Sequence, residues 1–172
     1  MKTNLIISDG DISLRTLIID DIEMLRNWRN QESIRYSFIF NEKITRLQQE
    51  QWFIRYNSDE NDYMFIALYK GVPIGASALY NINKKENSAE FGRLMLGDVS
   101  QRGLGLGKRI TRLTTRMGFE TFKLHRIYLE VFEENTYALK IYKELGYKVT
   151  GNSEKNGKIV SLMEILAKDF KL

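Results

Sequence analysis

The sequence predicts a mixed α+β fold, one domain built on a mixed, mostly antiparallel sheet of about seven strands with helices on both faces. Three observations carry this. Tyr63 to Tyr69, Ile74 to Tyr80 and Ala89 to Leu96 are successive strand-like segments separated by turn residues at Lys70-Gly71 and Asn81 to Asn87. A strand-helix-strand-helix-strand alternation follows them, which places helices over both faces of a sheet. The composition is that of a globular chain: 172 residues, 43% hydrophobic and 28% charged, enough for a full core.

The elements follow in order. Ile12 to Leu17 reads as a first strand, and Asp20 and Asp21 offer N-cap oxygens to a helix carrying Ile22, Leu25 and Trp28. After a short helical stretch, Thr45 caps a helix carrying Gln48, Trp52 and Tyr56. The three strands come next. Leu106, Ile110, Leu113 and Met117 recur at helical spacing and mark one face of a helix from about Leu104 to about Phe122. Ile127 to Phe132 reads as a buried strand. Ala138, Ile141, Tyr142 and Leu145 form the apolar face of another helix, which Gly146 ends. Tyr147 to Thr150 and Ile159 to Ile165 close the chain as strands.

Composition excludes several kinds of chemistry. Without cysteine there is no disulfide framework, thiolate metal site or cysteine nucleophile. The single histidine, His125, supports no multi-imidazole centre, and no metal is expected. The longest uncharged run, Gly71 to Asn83, is interrupted by Pro73 and Gly75 and is too short to span a bilayer. The N-terminus lacks the form of a signal peptide, so a cytoplasmic location is expected. The net charge is +4. Arg102, Lys108, Arg109, Arg112, Arg116, Lys123 and Arg126 face only Glu120 in their stretch. No aromatic platform accompanies them, so no nucleic-acid partner is expected.

The most informative segment runs from Leu94 to Lys108. A strand enters three glycines at alternate positions, Gly103, Gly105 and Gly107, and then a helix. Glycine admits φ > 0 and close backbone approach. The N–H groups at the helix start lack intrahelical partners and suit a phosphate or pyrophosphate. A P-loop would need glycine at 102 and Ser or Thr at 109, where Arg102 and Arg109 stand. A plain strand-to-helix turn without a ligand is the alternative.

The spacing Arg102-x-x-Gly105-x-Gly107 resembles the acyl-CoA pyrophosphate loop of the GNAT superfamily of N-acetyltransferases. The block Asn135-Thr-Tyr-Ala138-Leu-Lys-Ile-Tyr142-Lys-Glu-Leu-Gly146-Tyr147 is similar to a second signature of that family. The resemblance extends over roughly Tyr63 to Lys168. It implies a sheet splayed in the middle, an acetyl-CoA core over 61–172 and an acceptor-site region over 1–60, within one acyltransferase domain spanning 1–172. It implies acetyl-CoA as co-substrate and direct transfer of acetyl to a primary amine in a ternary complex. The backbone of Arg102, Gly103, Leu104, Gly105, Leu106, Gly107 and Lys108 would wrap the pyrophosphate. The main chain of Leu94, Met95 and Leu96 would pair with the pantetheine arm, and an N–H near Met95 would donate to the thioester oxygen. Asn135 would contact the cofactor, although it also suits an N-cap.

In the same comparison, Tyr142 matches the general acid that protonates the leaving thiolate. A core tyrosine on an amphipathic helix is the other reading. Glu130, in the strand before it, matches the base of some members, with Glu90 as rival; either glutamate would also serve as an ion-pair partner. Some members use no dedicated base.

A Trp-Arg-Asn element, Trp28-Arg29-Asn30 followed by Arg35, resembles members that acetylate nucleotide-linked amino sugars. Trp28 would form a wall, and Arg29, Asn30 and Arg35 would bind phosphate or hydroxyl groups. Trp28 is equally a core anchor. Relatives of similar layout act on ribosomal-protein N-termini or polyamines. Like-charge repulsion from the arginines speaks against a polycationic acceptor. A non-catalytic CoA-binding module is a further alternative. The expected partner is a small-molecule amine, with no membrane, and the expected assembly a monomer or homodimer.

Overall fold

The computed structural model describes residues 2–38 and 40–171. Eight strands form one sheet: β1 (Ile6–Asp9), β2 (Ile12–Thr16), β3 (Tyr63–Tyr69), β4 (Val72–Asn83), β5 (Ser88–Leu96), β6 (Arg126–Phe132), β7 (Lys148–Lys155) and β8 (Lys158–Leu166). Their spatial order is β1-β2-β3-β4-β5-β6-β8-β7. Every neighbouring pair is antiparallel except β5 with β6. The helices are α1 (Ile22–Asn30), α2 (Glu32–Arg35), α3 (Arg46–Ser58), α4 (Leu106–Glu120) and α5 (Thr136–Glu144).

The sheet divides the core. On one face α4 and α5 cover Leu14, Phe65, Leu79, Phe91, Ile127 and Leu129, with Ile110 and Met117 of α4 fully enclosed. On the other, α1 and α3 cover a smaller cluster that includes Leu25, Tyr56, Met64, Ile66, Ala76 and Met95. Strand alternation explains the split: Phe65 and Ala67 point one way, Met64 and Ile66 the other. The i, i+4, i+7, i+11 spacing of Leu106, Ile110, Leu113 and Met117 buries all four. Inside that face, the Ser77 and Thr114 hydroxyls satisfy one another at 2.7 Å.

Several elements differ from expectation for local reasons. The first strand is Ile6–Asp9, not the segment from Ile12, so the sheet has eight strands rather than seven. It is a short, mostly exposed edge strand, turned back by Gly10 at φ 63°, and so carries almost no apolar periodicity. Asp21 does not cap α1 with its side chain. Its carboxylate accepts from the Ile18 N–H at 2.9 Å and grips Arg15 through two bonds of 2.6 and 2.7 Å, which settles a 3₁₀ turn ahead of the helix. Thr45 does cap α3, in a reciprocal capping box with Gln48. Helix α4 starts at Leu106 because Gly105, at φ 70°, is left-handed. Gly146, at φ 99°, follows the end of α5.

Two irregularities shape the centre. β5 and β6 pair only at Ser88 to Glu90 with Arg126 to Tyr128, and then diverge. β5 also bulges against β4: Ala78 pairs with Gly92, whereas Ala76 pairs with Met95. The extra residue on β5 falls at Arg93, held at φ 52°. Beyond Glu90, the edge of β5 that faces β6 has no strand partner, and a cleft opens through the sheet. Among the described residues no helix is long and apolar enough to cross a membrane.

Candidate active site

The cleft at the β5–β6 fork has a volume of about 410 Å³ and reaches both faces of the sheet. From the α4/α5 face it takes Leu94, Leu96, Gly107, Val131, Ala138 and Tyr142. From the α1/α3 face it takes Arg29, Tyr80, Glu90, Arg93 and Glu130.

On the first face the chain presents mainly backbone. Gly103 and Gly105 hold φ of 83° and 70°, and a Cβ at either would meet open space. These glycines therefore serve the turn's conformation rather than tight packing. No side chain caps α4, so its first N–H groups are left for a ligand, at the positive end of the helix dipole. With the unpaired strand edge of β5 leading away from it, this loop fits the long, anionic, amide-bearing form of CoA. Arg102 reaches across the rim, donating to the Ser33 hydroxyl at 2.9 Å.

The rest of the basic stretch is largely neutralised. Lys108 pairs with Glu144 at 2.7 Å, Arg109 with Asp11 at 2.6 Å, Arg116 with Glu120 at 2.9 Å and Arg126 with Glu164 at 3.5 Å. Asn135 caps α5, its Oδ1 accepting from the Ala138 N–H at 3.1 Å, and it also lines the cleft.

Two tyrosines near the end of α5 separate packing from availability. Tyr147 is buried, and its hydroxyl shares a hydrogen bond of 2.8 Å with Thr115. Tyr142 is 7% exposed and packs edge-on against Phe91, with ring centroids 5.9 Å apart. Its hydroxyl has no hydrogen-bond partner among the described residues, and the side chain lines the cleft. Burial raises its pKa above the ordinary phenol value, so the proton stays on oxygen throughout the neutral range.

The two glutamates share the opposite face. Glu90 accepts from the Tyr80 hydroxyl at 2.9 Å and from the Asn81 amide at 2.9 Å. Burial, followed by the Glu90 charge, raises the Tyr80 pKa and keeps it a donor. Glu130 is half-buried rather than enclosed, and it pairs with Lys155. Arg93 lies 4.4 Å over the Tyr80 ring and pairs with Asp62 at 2.7 Å.

The α1 residues are placed differently from one another. Trp28 packs beneath Gly97, where a Cβ would come within 2.0 Å of the indole, and it does not line the cleft. Asn30 exchanges two hydrogen bonds with the Ile44 backbone, at 2.8 and 2.7 Å. Arg35 donates to the Asn41 carbonyl at 3.0 Å. Arg29 alone of these four lines the cleft. It is buried, donates to the Phe40 carbonyl and lies 3.8 Å over the Phe38 ring. Tyr80, Arg93 and Lys155 were not legible as site residues. Tyr80 follows strand alternation like any core residue, and the bulge that aims Arg93 leaves no mark in the sequence.

The family described as acetyltransferase (GNAT) domain matches residues 11–148. The spermidine N(1)-acetyltransferase of Escherichia coli K12 is 26% identical over 144 residues, covering 84% of this chain and 76% of that protein. The spermine/spermidine N(1)-acetyltransferase of Bacillus subtilis 168 is 29% identical over 106 residues, covering 62% and 66%. The spermidine N-acetyltransferase of Vibrio cholerae, solved with CoA and spermine, superposes with a TM-score of 0.83 at 25% identity, over 94% of this chain and 98% of that one.

These relatives correct two expectations. The resemblance to the ribosomal-protein N-terminal and nucleotide-amino-sugar subgroup does not hold, since the three relatives just described are spermidine or spermine N-acetyltransferases. The element that suggested it is spent otherwise: Trp28 and Asn30 serve packing and loop anchoring. Of the arginines behind the repulsion argument, Arg35 donates to a carbonyl and Arg26 pairs with Glu23 at 2.6 Å, whereas Arg29 lines the cleft. The expectation of a monomer or homodimer is overturned as well. The Vibrio cholerae enzyme is a dodecamer, in a structure that matches with a TM-score of 0.76 at 24% identity.

Proposed function

The chain belongs to the acetyltransferase (GNAT) domain family, and from that premise we propose that this acetyl-CoA-dependent N-acetyltransferase uses a polyamine of the spermidine or spermine class as its acceptor. The observation that carries the acceptor class is the pair of carboxylates, Glu90 and Glu130, lining the same cleft as Tyr142. A polyamine offers several ammonium groups on an apolar chain. Carboxylates beside an aromatic ring bind such groups through charge-assisted hydrogen bonds and cation–π contact, and Tyr80 supplies the ring. The names of the relatives from Escherichia coli, Bacillus subtilis and Vibrio cholerae support the same class.

Acetyl-CoA supplies an activated acetyl thioester. The glycine loop and the start of α4 bind the diphosphate, and the open edge of β5 at Leu94 to Leu96 aligns the pantetheine arm. A backbone N–H near Met95 stabilises negative charge developing on the carbonyl oxygen. Glu90 or Glu130 takes a proton from the acceptor ammonium, directly or through water, to leave a nucleophilic amine. As the new C–N bond forms and the C–S bond breaks, Tyr142 gives its phenolic proton to the departing sulfur. The proton taken from the amine returns the tyrosine to its starting state through solvent. The proposed location is the cytoplasm, which suits a chain without cysteine.

The test is release of free CoA thiol from acetyl-CoA with spermidine, spermine and a peptide bearing a free N-terminus. Release is expected with the polyamines. Glu90→Gln and Glu130→Gln should each raise KM for spermidine about tenfold, the effect of losing one partner of a partly buried charge pair. Turnover of the peptide alone would overturn the acceptor class. Saturable CoA binding with no turnover of any amine would overturn the enzymatic mechanism.

A further inference from the structure

A second cavity, also about 410 Å³, lies between the sheet and helices α1 and α3. Its chemistry is the opposite of the amine side of the cleft. Arg29, Arg55 and Arg93 line it with apolar Leu25, Trp52 and Met64, and no carboxylate does. Arg93 is neutralised elsewhere, by Asp62 at 2.7 Å. Arg29 is not: it is 8% exposed, and among the described residues it has no acidic partner. It also faces the charge of Arg35. Its Nη1 is buried without a hydrogen-bond partner. Gln49, 4% exposed on the opposing helix, leaves its Nε2 donor equally unpartnered.

A guanidinium does not shed its proton to escape burial, and buried donors are normally satisfied. Two such donors in one largely apolar space, with no acceptor among the described residues, call for an acceptor from outside the chain. The Arg29 guanidinium already lies 3.8 Å over the ring of Phe38. Its edge, where Nη1 lies, is the direction in which guanidinium meets carboxylate.

We infer that this cavity is a second ligand site, for a small carboxylate with an aromatic or aliphatic body, held at its head by Arg29 and Gln49 and along its body by Leu25, Trp52 and Met64. The site is separate from the groups proposed for the transfer, because Glu90, Glu130 and Tyr142 line the cleft and not this cavity. It does not depend on the polyamine reading. Arg29, Arg93 and Met95 line both cavities, so a ligand in the second one touches the wall of the first.

Calorimetric titration with 3-phenylpropionate, and with the uncharged isostere 3-phenylpropanamide, tests this on the full chain with and without saturating CoA. The acid should bind saturably, at least tenfold more tightly than the amide, and CoA should not displace it. Arg29→Met should weaken the acid at least tenfold, and Gln49→Leu several-fold. Removing an unpaired buried charge should leave the melting temperature of Arg29→Met unchanged or raised. If that variant does not fold, the Gln49→Leu titration decides. Equal binding of acid and amide, no saturable binding of the acid, displacement by CoA, or an unchanged affinity in Gln49→Leu would each overturn the inference.

Discussion

The two faces of the sheet prepare the same cleft by different means. On the α4/α5 face the chain offers main-chain groups: the turn at Gly103 and Gly105, the uncapped start of α4 and the unpaired edge of β5. Tyr142 adds a hydroxyl there, among apolar Leu94, Val131 and Ala138. On the α1/α3 face it offers side chains drawn from separate elements, with Tyr80, Glu90, Arg93 and Glu130 coming from three strands. A cofactor common to a whole family is gripped by backbone geometry, which tolerates sequence change. An acceptor is chosen by side chains, which vary freely. The first face also rests on the larger buried cluster, and the second on the smaller.

Tyr142→Phe probes the side chain proposed as general acid on the backbone-dominated face, and the largest effect is expected there. It should lower kcat by about 10²–10³-fold, in the range of a lost general acid, while leaving CoA binding nearly unchanged. Because burial raises the phenol pKa, the wild-type pH–rate profile should show no loss attributable to Tyr142 below pH 10. A fall in kcat of less than about threefold would return Tyr142 to a packing role and leave the face with backbone alone.

Gly105→Val tests the backbone itself. A β-branched residue at φ 70° should cost about 1–2 kcal/mol. The displaced turn should weaken CoA binding by about tenfold, read by calorimetry. KM for the amine should move little. If it rises as much as the Kd for CoA, the two faces are not separable.

The smallest effect compares the faces in stability. Tyr142 and Tyr147 belong to the α4/α5 face, Tyr56 and Tyr80 to the other. Burial raises the pKa of all four, with Tyr56 pushed up to about 12. A phenol whose folded value exceeds its unfolded value near 10 gives its full stabilisation below pH 10 and loses it as pH rises further. Each contributes a slope of up to about 1.4 kcal/mol per pH unit. Thermal melts should therefore be flat from pH 7 to 9 and fall steeply above 10. Replacing Tyr56 with Phe should soften that fall, and an unchanged slope would remove Tyr56 from the account.

The strands Tyr63–Tyr69 and Ser88–Leu96, the α4 stripe, the Thr45 cap and the Gly146 stop were legible because each rests on interactions within a few residues or on a simple period. The glycine turn was legible for the same reason. Edge strand β1 was not, since pairing with β2 rather than its own pattern makes it a strand. Neither was the role of Asp21, whose partner Arg15 lies on the preceding strand.

What the sequence determined by itself is therefore the fold class and the glycine turn at the start of α4: backbone conformation follows from local residue type, and glycine and helix-start chemistry are local. What only the tertiary structure decided is which side chains share the fork. The pairing of Glu130 with Lys155 and of Glu90 with Tyr80, the burial of Arg29 without an acid among the described residues, and the difference between the hydroxyls of Tyr142 and Tyr147 depend on contacts between distant segments. Those contacts form as chain entropy is given up for burial of the whole core. No window of residues contains them.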